Sequence, residues 1–240
     1  MKIRAILLDF WGTMVYPDIP IEKYFRRRAE YLRRVLEKHG YRYRVEDVYE
    51  KLLETRRLMD KVRSLSLREV TVLGEMVVFA DKLGIRADES ILRELSLAYI
   101  RPYYLFTKPA DGLKDFILWA DEAGLSLGLV SNVMYGRATR KILKRLGVQK
   151  YFKVVALSDE IGFRKPHAKI FLYALRRLRV KPDNAVMIGD EFCDIYGAKK
   201  LGLKTIQYIG FRNEDIGFED FKARSFKEVK EYLEEILSPA

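Results

Sequence analysis

An interrupted alternation of strand and helix patterns constrains the fold of this chain more than any other feature. Residues 3–9 form an apolar run too continuous for a one-sided antiparallel strand and suited to burial on both faces. Past Pro109 the rhythm resumes, with helical patterns over 111–123, 137–146, 168–179, 195–201 and 226–237. Strand patterns lie between them at 125–130, 154–157, 185–188 and 205–208. Strands that alternate with helices imply right-handed crossovers and a parallel sheet with helices on both faces.

The intervening stretch has a different character. Tyr24, Tyr31, Leu32, Val35 and Leu36 share one face of a first helix ended by Gly40, and Val48, Leu52, Leu53 and Met59 mark a second. A third spans 70–83, and a fourth spans 91–100 and is predicted to stop at Pro102. The predicted fold class is therefore α/β, a Rossmann-like parallel sheet with an inserted α-helical, four-helix-bundle-like cap. The predicted domains are a core of residues 1–15 with 109–240 and a cap of 16–108.

Composition narrows the partners. The net charge is +11, but residues 16–108 carry 20 Lys/Arg against 15 Asp/Glu, and the rest carry 25 against 19. A surplus spread this evenly, with no basic arm, suits a small anionic substrate better than nucleic acid. Cys193 is the only cysteine, which excludes an intramolecular disulfide and any paired-cysteine zinc site. Four apolar residues precede Asp9, too few for a signal peptide, and no run approaches membrane-spanning length, so a cytoplasmic protein is expected. Five amide side chains among many Lys, Arg and Glu resemble a thermophile's composition.

In an open parallel sheet, ligands bind beyond the carboxyl ends of the strands. There the first strand delivers Asp9, Gly12 and Thr13, and the second delivers Ser131 and Asn132. The 185–188 strand leads into Gly189, Asp190 and Glu191, with Asp194 one helical turn on; Lys165 and Pro166 precede the 168–179 helix. These parts suit displacement at phosphorus. Asp9 and Asp190 offer oxygen ligands to Mg²⁺, which would offset repulsion between an anionic nucleophile and a phosphoryl group. Ser131 and the N–H groups around Gly12 and Thr13 would bind phosphoryl oxygens. Lys165 would add a cation where charge develops, and Asp9 would attack to form an aspartyl-phosphate.

Together these elements resemble the haloacid dehalogenase (HAD) superfamily with a C1-type cap. DFWGT resembles its first motif, LVSN its second, RKP its third and GDEFCDIYGA its fourth. The resemblance implies Asp9, Ser131, Lys165 and Asp194 as catalytic residues. It implies Gly12, Thr13, Ser131, Asn132 and Lys165 at the substrate, and Asp9, Asp190 and the Trp11 carbonyl as Mg²⁺ ligands. Other roles compete with these. Ser131 and Asn132 suit a helix cap, Asp194 suits orienting Lys165, Glu191 and His167 suit the surface, and Cys193 suits packing.

Trp11 departs from the phosphatase pattern, in which that position is an acid that protonates the leaving group. An indole N–H does not titrate usefully, so a phosphatase is expected to favour good leaving groups. A 2-haloacid dehalogenase, in which the position is commonly aromatic, is the alternative, with Arg26, Arg27 or Arg28 on the halide. Asp190 weighs against it, because two carboxylates side by side without a metal repel. A phosphonate hydrolase using Lys23 or Lys51, and a non-enzymatic phosphoryl-group-binding regulatory protein, complete the alternatives.

Overall fold

A computed structural model describes residues 3–212 and 214–237. In chain order, β1 (Ala5–Leu8) leads to β2 (Val15–Pro17), then to four helices: α1 (Ile21–Lys38), α2 (Val45–Ser66), α3 (Val72–Lys82) and α4 (Glu89–Leu105). β3 (Thr107–Pro109) pairs with β2, and α5 (Leu113–Glu122), β4 (Ser126–Ser131), α6 (Gly136–Arg145) and β5 (Phe152–Leu157) follow. The chain continues through α7 (Ser158–Ile161), α8 (Ala168–Leu178), β6 (Ala185–Gly189) and α9 (Phe192–Lys199). It closes with β7 (Lys204–Tyr208), β8 (Phe221–Ala223) and α10 (Phe226–Leu237).

Contacts divide the chain into two compact units. One holds the residues up to Tyr16 and from Lys108 onward, and the other spans Pro17–Thr107. The first is built on a six-stranded sheet in the order β5-β4-β1-β6-β7-β8, parallel throughout. β1 is central because its four residues, AILL, are buried on both faces. Leu7 stands level with Gly128 on one side and Met187 on the other, which aligns the ends of β1, β4 and β6. Under one face, Leu7, Val130 and Met187 pack with Ile170, Phe171 and Ala174 of α8.

The fold class read from the sequence is the one found: a Rossmann-like parallel sheet with helices around it. The short edge strand β8 carries no sequence signal comparable to the central strands, since FKA has only one fully buried side chain.

The second unit is helical. Leu32 and Leu36 of α1, Val48 and Leu52 of α2, Phe79 of α3 and Leu95 of α4 are buried. One expectation fails here: α4 runs through Pro102 to Leu105. Proline lacks one N–H, but the helix resumes beyond it, where the Phe106 N–H donates to the Pro102 carbonyl at 2.8 Å. The three arginines at the start of α1 separate by direction. Arg26 and Arg27 pair at the surface with Glu46 and Glu30, whereas Arg28 is buried and donates to the Tyr24 and Tyr99 hydroxyls. Lys51 pairs with Glu54.

Candidate active site

The site grows from the aligned strand ends of the core. Asp9 directly follows β1, and its N–H donates to the Ile188 carbonyl of β6 at 2.9 Å, which extends the parallel ladder by one residue. The residue is buried, only 5% exposed. Both Ser131 Oγ, at 2.9 Å, and Lys165 Nζ donate to Asp9 Oδ1. Ser131 ends β4, so two neighbouring strands bring the Asp9 carboxylate and the Ser131 hydroxyl together without a loop.

Lys165 is buried and makes three contacts. Besides Asp9, its ammonium donates to the Val130 carbonyl at 2.9 Å and lies 2.5 Å from Asp194 Oδ1. Two of these contacts are hydrogen bonds, to Asp9 and to the Val130 carbonyl, and the third is an ion pair with Asp194. Burial opposes the charge on Lys165, but Asp194 and then Asp9 outweigh it and hold its pKa above the usual lysine range. Asn132 sets the position of this lysine. Its Oδ1 accepts from the Lys165 N–H at 2.8 Å and its Nδ2 donates to the Lys165 carbonyl at 3.2 Å. Each side of one backbone residue is thus clamped by one amide.

Asp190 follows β6 and is fully buried. Thr13 Oγ1 donates to its Oδ1 at 3.0 Å, while Oδ2 has no hydrogen-bond partner. Gly12 makes this approach possible. It has φ +96°, and a Cβ there would stand 2.1 Å from Asp190 Oδ2. The N–H of Gly12 is taken by the Val15 carbonyl at 2.8 Å. Gly189 plays the same part for Asp194, whose carboxylate would meet a Cβ at 2.4 Å. Asp194 also accepts from the Glu191 N–H at 3.1 Å through Oδ2, closing the first turn of α9.

Asp9, Asp190 and Asp194 each bring a carboxylate oxygen within 4.8 Å of the others, and this buried trio could hold a metal ion. Burial, then the charges of Asp9 and Asp194, push Asp190 up to about 8. Burial and Asp9 likewise push Asp194 up to about 7, against the pull of Lys165. A hard-oxygen donor set with two buried oxygens that accept no hydrogen bond, Asp190 Oδ2 and Asp194 Oδ1, fits a small divalent cation.

The remaining candidates fall into place around this cluster. Gly12, Thr13 and Asn132 make contacts within the protein, as described. Ser131 does not cap α6, because Asp159 Oδ2 accepts from the Gly136 N–H at 2.7 Å instead. Trp11 is partly buried in the turn after β1, where it bridges to Val15. Cys193 is held well above a thiol's ordinary pKa by burial, and His167 Nδ1 accepts from the Lys169 N–H at the start of α8. Among the described residues no helix is long and apolar enough to cross a membrane.

Sequence reasoning missed Arg212, in the loop after β7. Its guanidinium lies 2.7 Å from Glu191 Oε1 and 3.8 Å from Asp190 Oδ2. No spacing rule ties position 212 to the acidic cluster, because the loop that carries it belongs to no strand-end motif.

A parallel α/β core with a carboxylate nucleophile candidate at one strand end, and an acidic partner at the next, defines a class of strand-end hydrolases. The model of the haloacid dehalogenase-like hydrolases matches residues 3–202, and the chain belongs to that family. It is 30% identical to a glyceraldehyde 3-phosphate phosphatase of Methanopyrus kandleri over 85% of this chain and 83% of that one. It is 32% identical to a glyceraldehyde 3-phosphate phosphatase of Pyrococcus furiosus, over 58% of each chain. Among solved structures, a 2-haloacid dehalogenase of Pseudomonas syringae superposes with a TM-score of 0.73 at 20% identity, covering 98% of this chain and all of that one. The fold is therefore shared with a dehalogenase as well, and only the site's chemistry separates the two activities.

Proposed function

We propose that the chain is a Mg²⁺-dependent phosphatase of small phosphorylated compounds, acting through an aspartyl-phosphate at Asp9. The observation that carries this reading is Asp190, a fully buried acid beside Asp9 with one oxygen lacking any hydrogen-bond partner. Displacement of halide from carbon has no use for a second acid at that place, and a cation site does.

Asp9 and Asp190, with the Trp11 carbonyl, would hold Mg²⁺. Bound there, the cation would supply positive charge between the nucleophile and the phosphoryl group and polarise the electrophile. Ser131 and Lys165 both donate to Asp9 Oδ1, which fixes the carboxylate and leaves Oδ2 as the attacking oxygen. As Oδ2 bonds to phosphorus, the bond from phosphorus to the leaving oxygen breaks. The leaving oxygen takes its proton from solvent, because Trp11 supplies none. Water then attacks phosphorus, returning the Asp9 carboxylate and releasing phosphate.

The names of the relatives make a triose phosphate the first natural substrate to assay. The reading is tested with p-nitrophenyl phosphate in Mg²⁺ and in EDTA. Hydrolysis that needs Mg²⁺ and disappears in Asp9→Asn is the expected result. Chelator-insensitive release of halide from 2-chloropropionate, with no phosphatase activity, would replace it with the dehalogenase.

A further inference from the structure

We propose that Arg212 is a positioning residue of the cation site: its guanidinium is a built-in counter-charge to Asp190 that an entering divalent cation must compete with. The inference rests on the cation reading of the acidic trio and adds a residue outside the four strand-end motifs.

Three observations meet at Arg212. Lys165 is another cation at the cluster, but it donates to Asp9 and the Val130 carbonyl and pairs with Asp194, and none of these contacts is to Asp190. Asp190 Oδ2 is buried without a hydrogen-bond partner, and Arg212 Nε stands 3.8 Å from it. That distance is too long for a hydrogen bond and short enough for a direct charge interaction. Arg212 is also aimed: its other contact, to Glu191 Oε1 at 2.7 Å, fixes the plane of the fork while the side chain stays 42% exposed.

The loop does not need this ion pair to hold its place. Phe211 packs on Tyr16 with ring centroids 3.7 Å apart, and Gln207 Nε2 donates to the Glu214 carbonyl at 2.7 Å. Phe218 meets Phe192 of α9 edge-on at 5.7 Å. A half-exposed pair between Arg212 and Glu191 adds little to stability by itself. What Arg212 contributes is charge at Asp190. A unit positive charge beside a ligand carboxylate weakens binding of a divalent cation by roughly four- to tenfold under water-like screening.

The test is calorimetric titration of Mg²⁺ into the whole chain at about pH 9 and low salt, where no turnover is involved. Arg212→Ala should bind Mg²⁺ about four- to tenfold more tightly than the natural chain, with the advantage shrinking as salt rises. Arg212→Lys, which keeps the charge, should stay within about twofold. Unchanged or weaker binding in Arg212→Ala, or an equal shift in Arg212→Lys, would overturn the role of Arg212 and leave the cation site standing. A folded natural chain that binds no divalent cation would sink the cation reading itself, and this inference with it.

Discussion

Replacing Asp190 with asparagine should make the metal-free protein more stable while removing its response to Mg²⁺. The substitution keeps the shape of the side chain and the Oδ1 that accepts from Thr13. It removes one of three acids packed within 4.8 Å. Burial and its neighbours push Asp190 up to about 8, roughly four pH units above an ordinary aspartate. At about 1.4 kcal/mol per unit the ceiling on the cost of ionising it in the fold is on the order of 5 kcal/mol. The charge is shared with Asp9 and Asp194, so about 2 kcal/mol is the recoverable part.

The sign follows from a raised folded pKa on an acid. The folded chain binds more protons than the unfolded one between the ordinary aspartate value and about 8, so this group's contribution falls as pH rises through that window. Thermal melts in EDTA at a series of pH values would show Asp190→Asn gaining on the natural chain from about pH 4 to about pH 8 and holding level above it. The expected gap at the upper end is about 4–8 °C for a chain of this size. Saturating Mg²⁺ should reverse the order, since a ligand at a hundred times its Kd adds about 2.7 kcal/mol to the natural chain alone. Parallel melting curves in EDTA, or an equal Mg²⁺ response in both proteins, would refute the reasoning.

Other substitutions probe the site from different sides. Gly12→Ala places a methyl 2.1 Å from Asp190 Oδ2 at φ +96°, and should lower both Mg²⁺ affinity and the melting temperature, at a cost of about 2 kcal/mol or more, measured by calorimetry and melting. Asn132→Ala releases both sides of the Lys165 backbone, and should lower kcat for p-nitrophenyl phosphate about 10²-fold with Mg²⁺ affinity retained. Trp11→Asp supplies the missing acid and base, and should raise steady-state turnover of alkyl phosphates and of p-nitrophenyl phosphate alike by about 10²-fold.

The parts of the site that follow backbone periodicity were legible in the sequence. Asp9, Ser131 and Asp190 each stand at the carboxyl end of a buried parallel strand, and register alone brings them together. Side-chain direction within that frame was less legible. Asn132 reads as a substrate ligand or a helix cap, yet it clamps Lys165, because the loop that carries Lys165 returns to β4 from thirty-three positions away. Asp194 reads equally as a metal ligand or a partner for Lys165, and its carboxylate does the second while lying within reach of the first. Pro102 misleads because a proline rule considers one missing N–H, whereas α4 is buried along Ala98, Tyr99, Ile100 and Pro102 and continues past the gap. β8 and Arg212 were illegible for one reason: both lie after β7, where pairing and charge contacts come from tertiary neighbours and leave no local pattern.

The most direct test of the account is stopped-flow release of p-nitrophenolate from p-nitrophenyl phosphate. Aryl phosphate needs no proton donor to load Asp9, but without an acid at position 11 to activate water the aspartyl-phosphate should break down slowly. The account predicts a burst of about one p-nitrophenolate per chain, followed by slow turnover, both absent in EDTA and in Asp9→Asn. Release that is linear from the first turnover and indifferent to EDTA would contradict it.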